Sequence, residues 1–305
     1  MQHVSNEILY FETGPDNPVT HRVSPGETFE VQTQINSGPW IDRLPEAERA
    51  AWRQKMRGGN PSSGCIFVEG AKPGDVLSVE IGPIDVDPIG YTRFGGHTDA
   101  MPRWLQPGAH EKLVEIRDGW IHWSDSLRLP VRPMLGFVGV APARERFHNG
   151  RGGDWGGNLD AQEVSTGTTL HLRVQCEGAL LHVGDMHAIQ GDGEICGAGG
   201  IEAGGRVLIT CHVQSPAPER LHFPRFETAI HIGVLATARP AEDAFRIALA
   251  ELIGWLGDDY GLAQGEAILL LGQVLEARVT QLVNPHFTYV AKVARAFLPP
   301  APGSE

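Results

Sequence analysis

The sequence predicts a mostly β protein with a helical C-terminal portion, and three observations carry that reading. Short apolar runs alternate with polar residues at the two-residue period of a half-buried strand. The 38 glycines and 22 prolines stand between those runs as turn punctuation and follow no short period. Only after Pro240 do apolar residues recur at helical spacing.

The first part, residues 1–150, reads as strands at 28–34, 65–68, 76–81 and 136–140, separated by turns such as Lys72-Pro-Gly-Asp75. Within 76–81, Leu77, Val79 and Ile81 alternate with Ser78 and Glu80. Residues 45–57 are charged and contain alanines, with Pro45 near the start and Gly58-Gly59 beyond the end, which predicts a surface helix.

The second part, 151–240, continues the strand pattern. Leu170, Leu172 and Val174 alternate with Thr169, His171 and Arg173, and Val207, Ile209, Cys211 and Val213 alternate with Leu208, Thr210 and His212. Between them lie an apolar run at 179–183 and a glycine-dense stretch to Gly205. In the third part, 241–298, Phe245, Ala248, Leu249, Leu252, Ile253 and Leu256 share one helical face, and Glu242 and Asp243 suit its positive N-terminal end. A second helix is expected at 262–271, then a strand at 277–283 and a loose end at 299–305. Without repeats or a low-complexity linker, residues 1–305 read as a single unit.

Charge and composition narrow the function. A formal net charge of -12 repels phosphate backbones and anionic membranes, so neither nucleic acid nor a membrane surface is an expected partner. No apolar stretch approaches the ~18 residues of a membrane helix. The N-terminal residues show no secretory pattern. Cys65, Cys176, Cys196 and Cys211 are far apart with no CxxC pair, which suits reduced thiols and a cytoplasmic setting.

The chemistry concentrates in Gly184-Asp-Met-His-Ala-Ile-Gln-Gly-Asp-Gly-Glu194. On an extended backbone Asp185 and His187 leave the same face, and a carboxylate beside an imidazole suits a divalent metal. Asp192 and Glu194 repeat that spacing, with glycines that allow a tight turn. So many polar groups after an apolar run are costly to bury unless paired or metal-bound. On spacing alone, an acidic, glycine-rich loop is more often a solvated turn than a site. Two further clusters, Gly152-Gly-Asp-Trp-Gly-Gly-Asn-Leu-Asp160 and Gly95-Gly-His-Thr-Asp99, read as loops on their own.

Taken together, these residues resemble the acetamidase/formamidase family, whose signature GDxHAxQGDGE matches residues 184–194. The match runs in order through Gly156-Gly-Asn-Leu-Asp160, the strand that follows Ser165, and Gly178-Ala-Leu-Leu181. Gly59-Asn-Pro-Ser-Ser-Gly64, Pro73-Gly-Asp-Val-Leu77 and the closing Arg278-Val-Thr-Gln-Leu-Val283 fit as well. The resemblance implies a jelly-roll-like β-sandwich with smaller α+β elements. It implies hydrolysis of a small linear amide, of the formamide/acetamide class, to a carboxylate and ammonia by a homo-oligomer. It also implies a divalent metal, zinc foremost, with calcium as an additional ion. Carried over by position, Asp160, Asp185 and His187 are the metal ligands, and Asp192, Glu194 and Glu202 the catalytic carboxylates. Asn158, Gln190 and His97 are the expected substrate contacts.

Two other functions fit the same residues. One is a covalent amidase using Cys196, although the nearby Glu194 charge opposes thiolate formation. The other is a non-catalytic protein that binds a metal or a small amide.

Overall fold

The computed structural model describes residues 1–105 and 107–300; the loose end expected over 299–305 falls, from residue 301 on, outside the described residues. The mostly β expectation holds. Strands that matter for the site are β1 (Thr28–Thr33), β2 (Ser62–Val68), β3 (Val76–Phe94), β4 (Met134–Gly139), β5 (Gly156–Asn158), β6 (Thr169–Arg173), β7 (Leu181–His187), β8 (Gly197–Gln214), β9 (His231–Ala238), β10 (Glu276–Gln281) and β11 (Phe287–Ala294). With shorter strands they join one connected, curled sheet. Its pairings are antiparallel except where His3–Val4 lies along β1 and His21–Val23 along β2.

Two strands run longer than the sequence pattern suggests. β3 continues past Ile81 through Pro83 and Pro88, which read as breaks because proline cannot donate to a ladder. Its register with β8 shifts between Val207 and Ile209 and again between Ala203 and Gly205, opposite those two prolines, so irregularities in the pairing accommodate them. β8 likewise begins at Gly197, inside the glycine-dense stretch that resembles a loop. In contrast, Ala179 and Leu180 have positive φ and precede β7 rather than starting it, so β7 extends to His187 and takes in the signature's Asp185.

The main core lies between the sheet's inner faces, with Phe29, Ile66, Leu77, Leu135, Leu170, Leu181 and Ile209 fully or nearly fully buried. Each such side chain contributes roughly 1.5–3 kcal/mol by leaving water. A second core forms where α2 (Ala241–Tyr260) and α3 (Gln264–Val274) cover β9 and β11. α2 buries Ala248, Leu252, Trp255 and Leu256 and ends at Gly261, whose φ of 67 closes the left-handed cap. The earlier helix α1 (Glu46–Lys55) buries no residue, as its charge pattern predicts. Neither β9 nor β11 is signalled clearly in the sequence, because both faces are covered and alternation fades.

Candidate metal centre

β4 lies between β5 and β7, and this placement assembles the site. Phe137 pairs with Asn158 on one side and with Gly184 on the other. The backbone N–H groups of Leu159 and Asp160 both donate to the Gly136 carbonyl. Asp160 and Asp185 therefore converge on Gly136 from opposite flanks. A Cβ at residue 136 would sit 2.3 Å from Asp185 Oδ2 and 2.5 Å from Asp160 Oδ1, so only glycine leaves the carboxylates room.

The other wall comes from β8. His187 pairs directly with Glu202, and His187 Nε2 lies 3.5 Å from Asp185 Oδ1 and 3.8 Å from Glu202 Oε1. Gly199 does for this wall what Gly136 does for the first: a Cβ there would meet His187 Nε2 at 2.6 Å and Glu202 Oε1 at 2.9 Å.

The two-residue spacing of Asp185 and His187 does bring them together, but not through a regular strand. Asp185 has φ 54, a left-handed conformation that non-glycine residues adopt at a cost of order 1–3 kcal/mol. Asp160 (φ 43) and Glu194 (φ 47) share that conformation. The same conformation in three acidic residues of one cluster marks a place where geometry is imposed rather than relaxed.

Asp192 and Glu194 are separated instead of aligned. Residues Asp192–Glu194 form a single 3₁₀ turn with Gly193 at φ 79, not an extended segment. Glu194 turns inward and is buried, whereas the Asp192 side chain is 63% exposed and bonds to Arg278 Nε at 2.7 Å. Asp192 thus stands apart from the buried carboxylates.

Ligand atoms of Asp160, Asp185 and His187 all lie within 4.8 Å of one another, and all three residues are buried. Glu194 and Glu202 complete a set of four carboxylates and one imidazole. Asp160 Oδ1, His187 Nε2, Glu194 Oε2 and Glu202 Oε2 are buried with no hydrogen-bond partner among the described residues. Buried polar atoms are normally satisfied, and mixed oxygen and nitrogen donors around one point suit a divalent cation. The residues therefore fit a metal.

Electrostatics agree. Burial, then the neighbouring Asp185 charge, pushes Asp160 and Glu202 each up to about 8. Glu194 is raised well above its usual range by burial and then by Asp160. Burial lowers the His187 pKa, but Asp185, Glu202 and Asp160 outweigh it and raise the imidazole well above its ordinary value. Without a cation the cluster relieves its crowding of negative charge by holding protons.

Gln190 and Asn158 support the ligands rather than facing outward. Gln190 Nε2 donates to the carbonyls of Asp160 (2.7 Å) and Thr280 (3.2 Å), which leaves its Oε1 to accept from His187 Nδ1 at 2.9 Å. With Nδ1 as the donor, the Nε2 lone pair is the one aimed at the cluster. Asn158 Nδ2 donates to Asp160 Oδ2 at 2.8 Å, and its Oδ1 accepts from Asn60 Nδ2 at 2.8 Å. Both amides thus hydrogen-bond within the protein and hold Asp160 and His187 in place. His97 is exposed in the loop after β3, which crosses the end of the signature where Thr98 Oγ1 donates to the Ile195 carbonyl.

Three contributors escape sequence reasoning. Gly136 carries no side chain to notice, and Asn60 lies in a matched segment without any sign of its partner. Arg278 donates to both Glu163 oxygens at 2.6 and 2.9 Å as well as to Asp192, tying β10 to the signature turn. Its acidic partners, Glu163 and Asp192, lie far from it in sequence, and the pairing is visible only in three dimensions.

Cys196 is half-buried. Burial pushes the Cys65 and Cys211 thiols up to about 12, which suits inert core residues.

Comparison with known proteins matches this architecture. At 30% identity, a solved acetamidase from Bacillus halodurans superposes with a TM-score of 0.86 over 97% of this chain and 98% of its own. An acetamidase from Yersinia enterocolitica gives 0.85 at 30% identity, over 98% and 93%. A formamidase of Methylophilus methylotrophus is 26% identical over 250 residues, 64% of this chain and 61% of that protein. The chain spans about three fifths of the length of the curated relatives it matches. The model of the Acetamidase/Formamidase family matches residues 5–152 and 149–294. On that match and the shared fold, the chain belongs to the acetamidase/formamidase family.

Proposed function

We propose that the chain is an amidohydrolase that cleaves a small linear amide to a carboxylate and ammonia at a divalent metal held by Asp160, Asp185 and His187. One observation supports this most: three buried ligand atoms within 4.8 Å of one another, beside partnerless acceptors, in a chain of this family. A divalent cation bound there would lower the pKa of a water toward ~7 and polarise an amide carbonyl.

The chain's own residues do the rest. Glu202, directly across from His187, takes the proton from the attacking water and delivers it to the departing nitrogen. Glu194, turned into the same buried space, is its partner carboxylate. Asp192 is reassigned to holding the turn through Arg278 and Gln162. Gln190 keeps the His187 imidazole in one tautomer, and Asn158 holds Asp160. Closely packed walls exclude bulk water, which strengthens every charge interaction within.

Zinc is the expected ion, with calcium as an additional one, because one imidazole among carboxylates suits the first and surplus carboxylates the second. Self-association is supported by the apolar Ile268, Leu269 and Phe297, which are 50%, 68% and 53% exposed. A cytoplasmic setting accords with four cysteines outside any disulfide. No helix among the described residues is long and apolar enough to cross a membrane.

The test is ammonia release across a panel of formamide, acetamide and longer amides, before and after chelation. Release that chelation abolishes and added zinc restores is the expected result. Release unaffected by complete metal removal would overturn the proposal.

A further inference from the structure

We propose that the turn between β10 and β11 is a built part of the metal centre, and that Asn284 within it decides which oxygen of Asp160 faces the cation. This rests on the metal-centre reading above and extends it to a residue 124 positions downstream of the ligand.

Asn284 Nδ2 donates to Asp160 Oδ2 at 2.5 Å, the same oxygen that accepts from Asn158 Nδ2 at 2.8 Å. Two amide donors occupy that oxygen's lone pairs. Oδ1 has no partner and points to the space Gly136 leaves open beside Asp185. The division makes Asp160 a one-oxygen ligand through Oδ1, because an oxygen already accepting two hydrogen bonds is a weak donor to a metal.

Both amides are oriented by their own partners. Asn60 Nδ2 donates to Asn158 Oδ1, so the Asn158 amino group must face Asp160. Asn284 is presented by Gln281, which is fully buried. Gln281 Nε2 donates to the His286 carbonyl (2.6 Å) and Thr288 Oγ1 (2.9 Å), while its Oε1 accepts the backbone N–H groups of Val283 and Asn284, each at 3.0 Å. The same segment meets the site twice more: the Thr280 carbonyl accepts from Gln190, and Leu282 N–H donates to the Gly193 carbonyl at 3.0 Å. The segment from Thr280 to Asn284 thus backs Gln190, the signature turn and Asp160 at once. This gives the closing motif Arg278-Val-Thr-Gln-Leu-Val283 a positioning task.

The experiment compares wild type with Asn284→Leu, which keeps the branched outline and removes the amide donor, and with Asn284→Ala and Asn284→Gln. Zinc affinity is read by competition with a chromophoric chelator, cobalt coordination by its visible spectrum, and folding by the melting temperature of the metal-free protein. The Leu and Ala variants should bind zinc about 10–100-fold more weakly, with an altered cobalt spectrum and little change in metal-free melting. Asn284→Gln should recover part of the affinity. Should Asn284→Leu fail to fold, the smaller Ala variant carries the comparison. Unchanged affinity and spectrum in the folded variants would overturn the positioning role alone. Absence of zinc binding by wild type would remove the metal centre, and this role with it.

Discussion

His187 and Glu202 face each other across adjacent antiparallel strands, with the imidazole Nε2 3.8 Å from the carboxylate Oε1. Under the proposed function, the register of β7 against β8 sets a metal ligand opposite an acid/base. In this account the two side chains have separable tasks. His187→Ala should lose the metal and activity together. Glu202→Gln should keep the metal and lower kcat by roughly 10²–10⁴-fold, the usual contribution of a positioned general base. Metal analysis beside steady-state kinetics reads both, and a fully active Glu202→Gln protein would exclude the carboxylate from proton transfer.

Gly136 gives a second prediction. A methyl group at residue 136 would collide with carboxylate oxygens of both Asp160 and Asp185. Gly136→Ala should therefore weaken metal affinity by about 10-fold or more, the scale on which displaced ligand geometry acts. Isothermal titration with zinc measures this. Wild-type affinity in Gly136→Ala would mean that the two carboxylates do not share one ion.

Away from the site, Arg278 holds the buried Glu163, with Lys292 Nζ 3.1 Å away as the remaining cation. Burial raises the Glu163 pKa, but the Arg278 hydrogen bonds and charge outweigh it and hold the carboxyl below its ordinary value. Arg278→Met should cost roughly 2–3 kcal/mol, less than the full loss of a buried pair because Lys292 remains. Urea unfolding tests it, and an unchanged midpoint would show that Lys292 suffices.

Acid stability offers a further check. The His171 imidazole, with Nε2 3.3 Å from Glu227 Oε1, is the chief cause of the depressed Glu227 pKa, which falls from 4.5 to about 2 with Arg295 also contributing. A depressed acid stabilises the folded state above its unfolded value and loses that contribution as pH falls. The stabilisation from Glu227 is therefore complete above about 4.5 and fades toward 2. In Glu227→Gln the melting temperature should vary less with pH across that window. An identical pH profile in the two proteins would contradict the assignment.

Cysteine chemistry has its own test. Cys196→Ala should retain wild-type turnover, and iodoacetamide should leave the native enzyme active. Complete inactivation by either would restore the thiol mechanism.

Much of this was legible in sequence, and the failures have physical causes. Periodicity located β1, β6 and α2 because each has one wet face and one dry face. It shortened β3, since prolines opposite register shifts look like breaks. The family resemblance points to Asp185 and His187 through the signature and to Asp160 through the segment 156–160, and the structure brings the three together. Extrapolating an extended backbone through 192–194 misplaced Asp192, because Gly193 bends the chain. The internal bonds of Gln190 could not be foreseen, because the carbonyls that take its amide N–H groups belong to Asp160 and Thr280, the latter ninety residues away. Asn284 gave no local signal at all; its partner is fixed only by how β10 and β11 pack on the signature turn.

The most direct measurement is the metal content of the purified protein, by mass spectrometry after dialysis, for wild type and for Asp185→Asn. At least one tightly held divalent ion per wild-type chain, zinc foremost, is expected, with its loss in the variant. A wild-type chain that remains metal-free in zinc-containing buffer while still hydrolysing amides would contradict this.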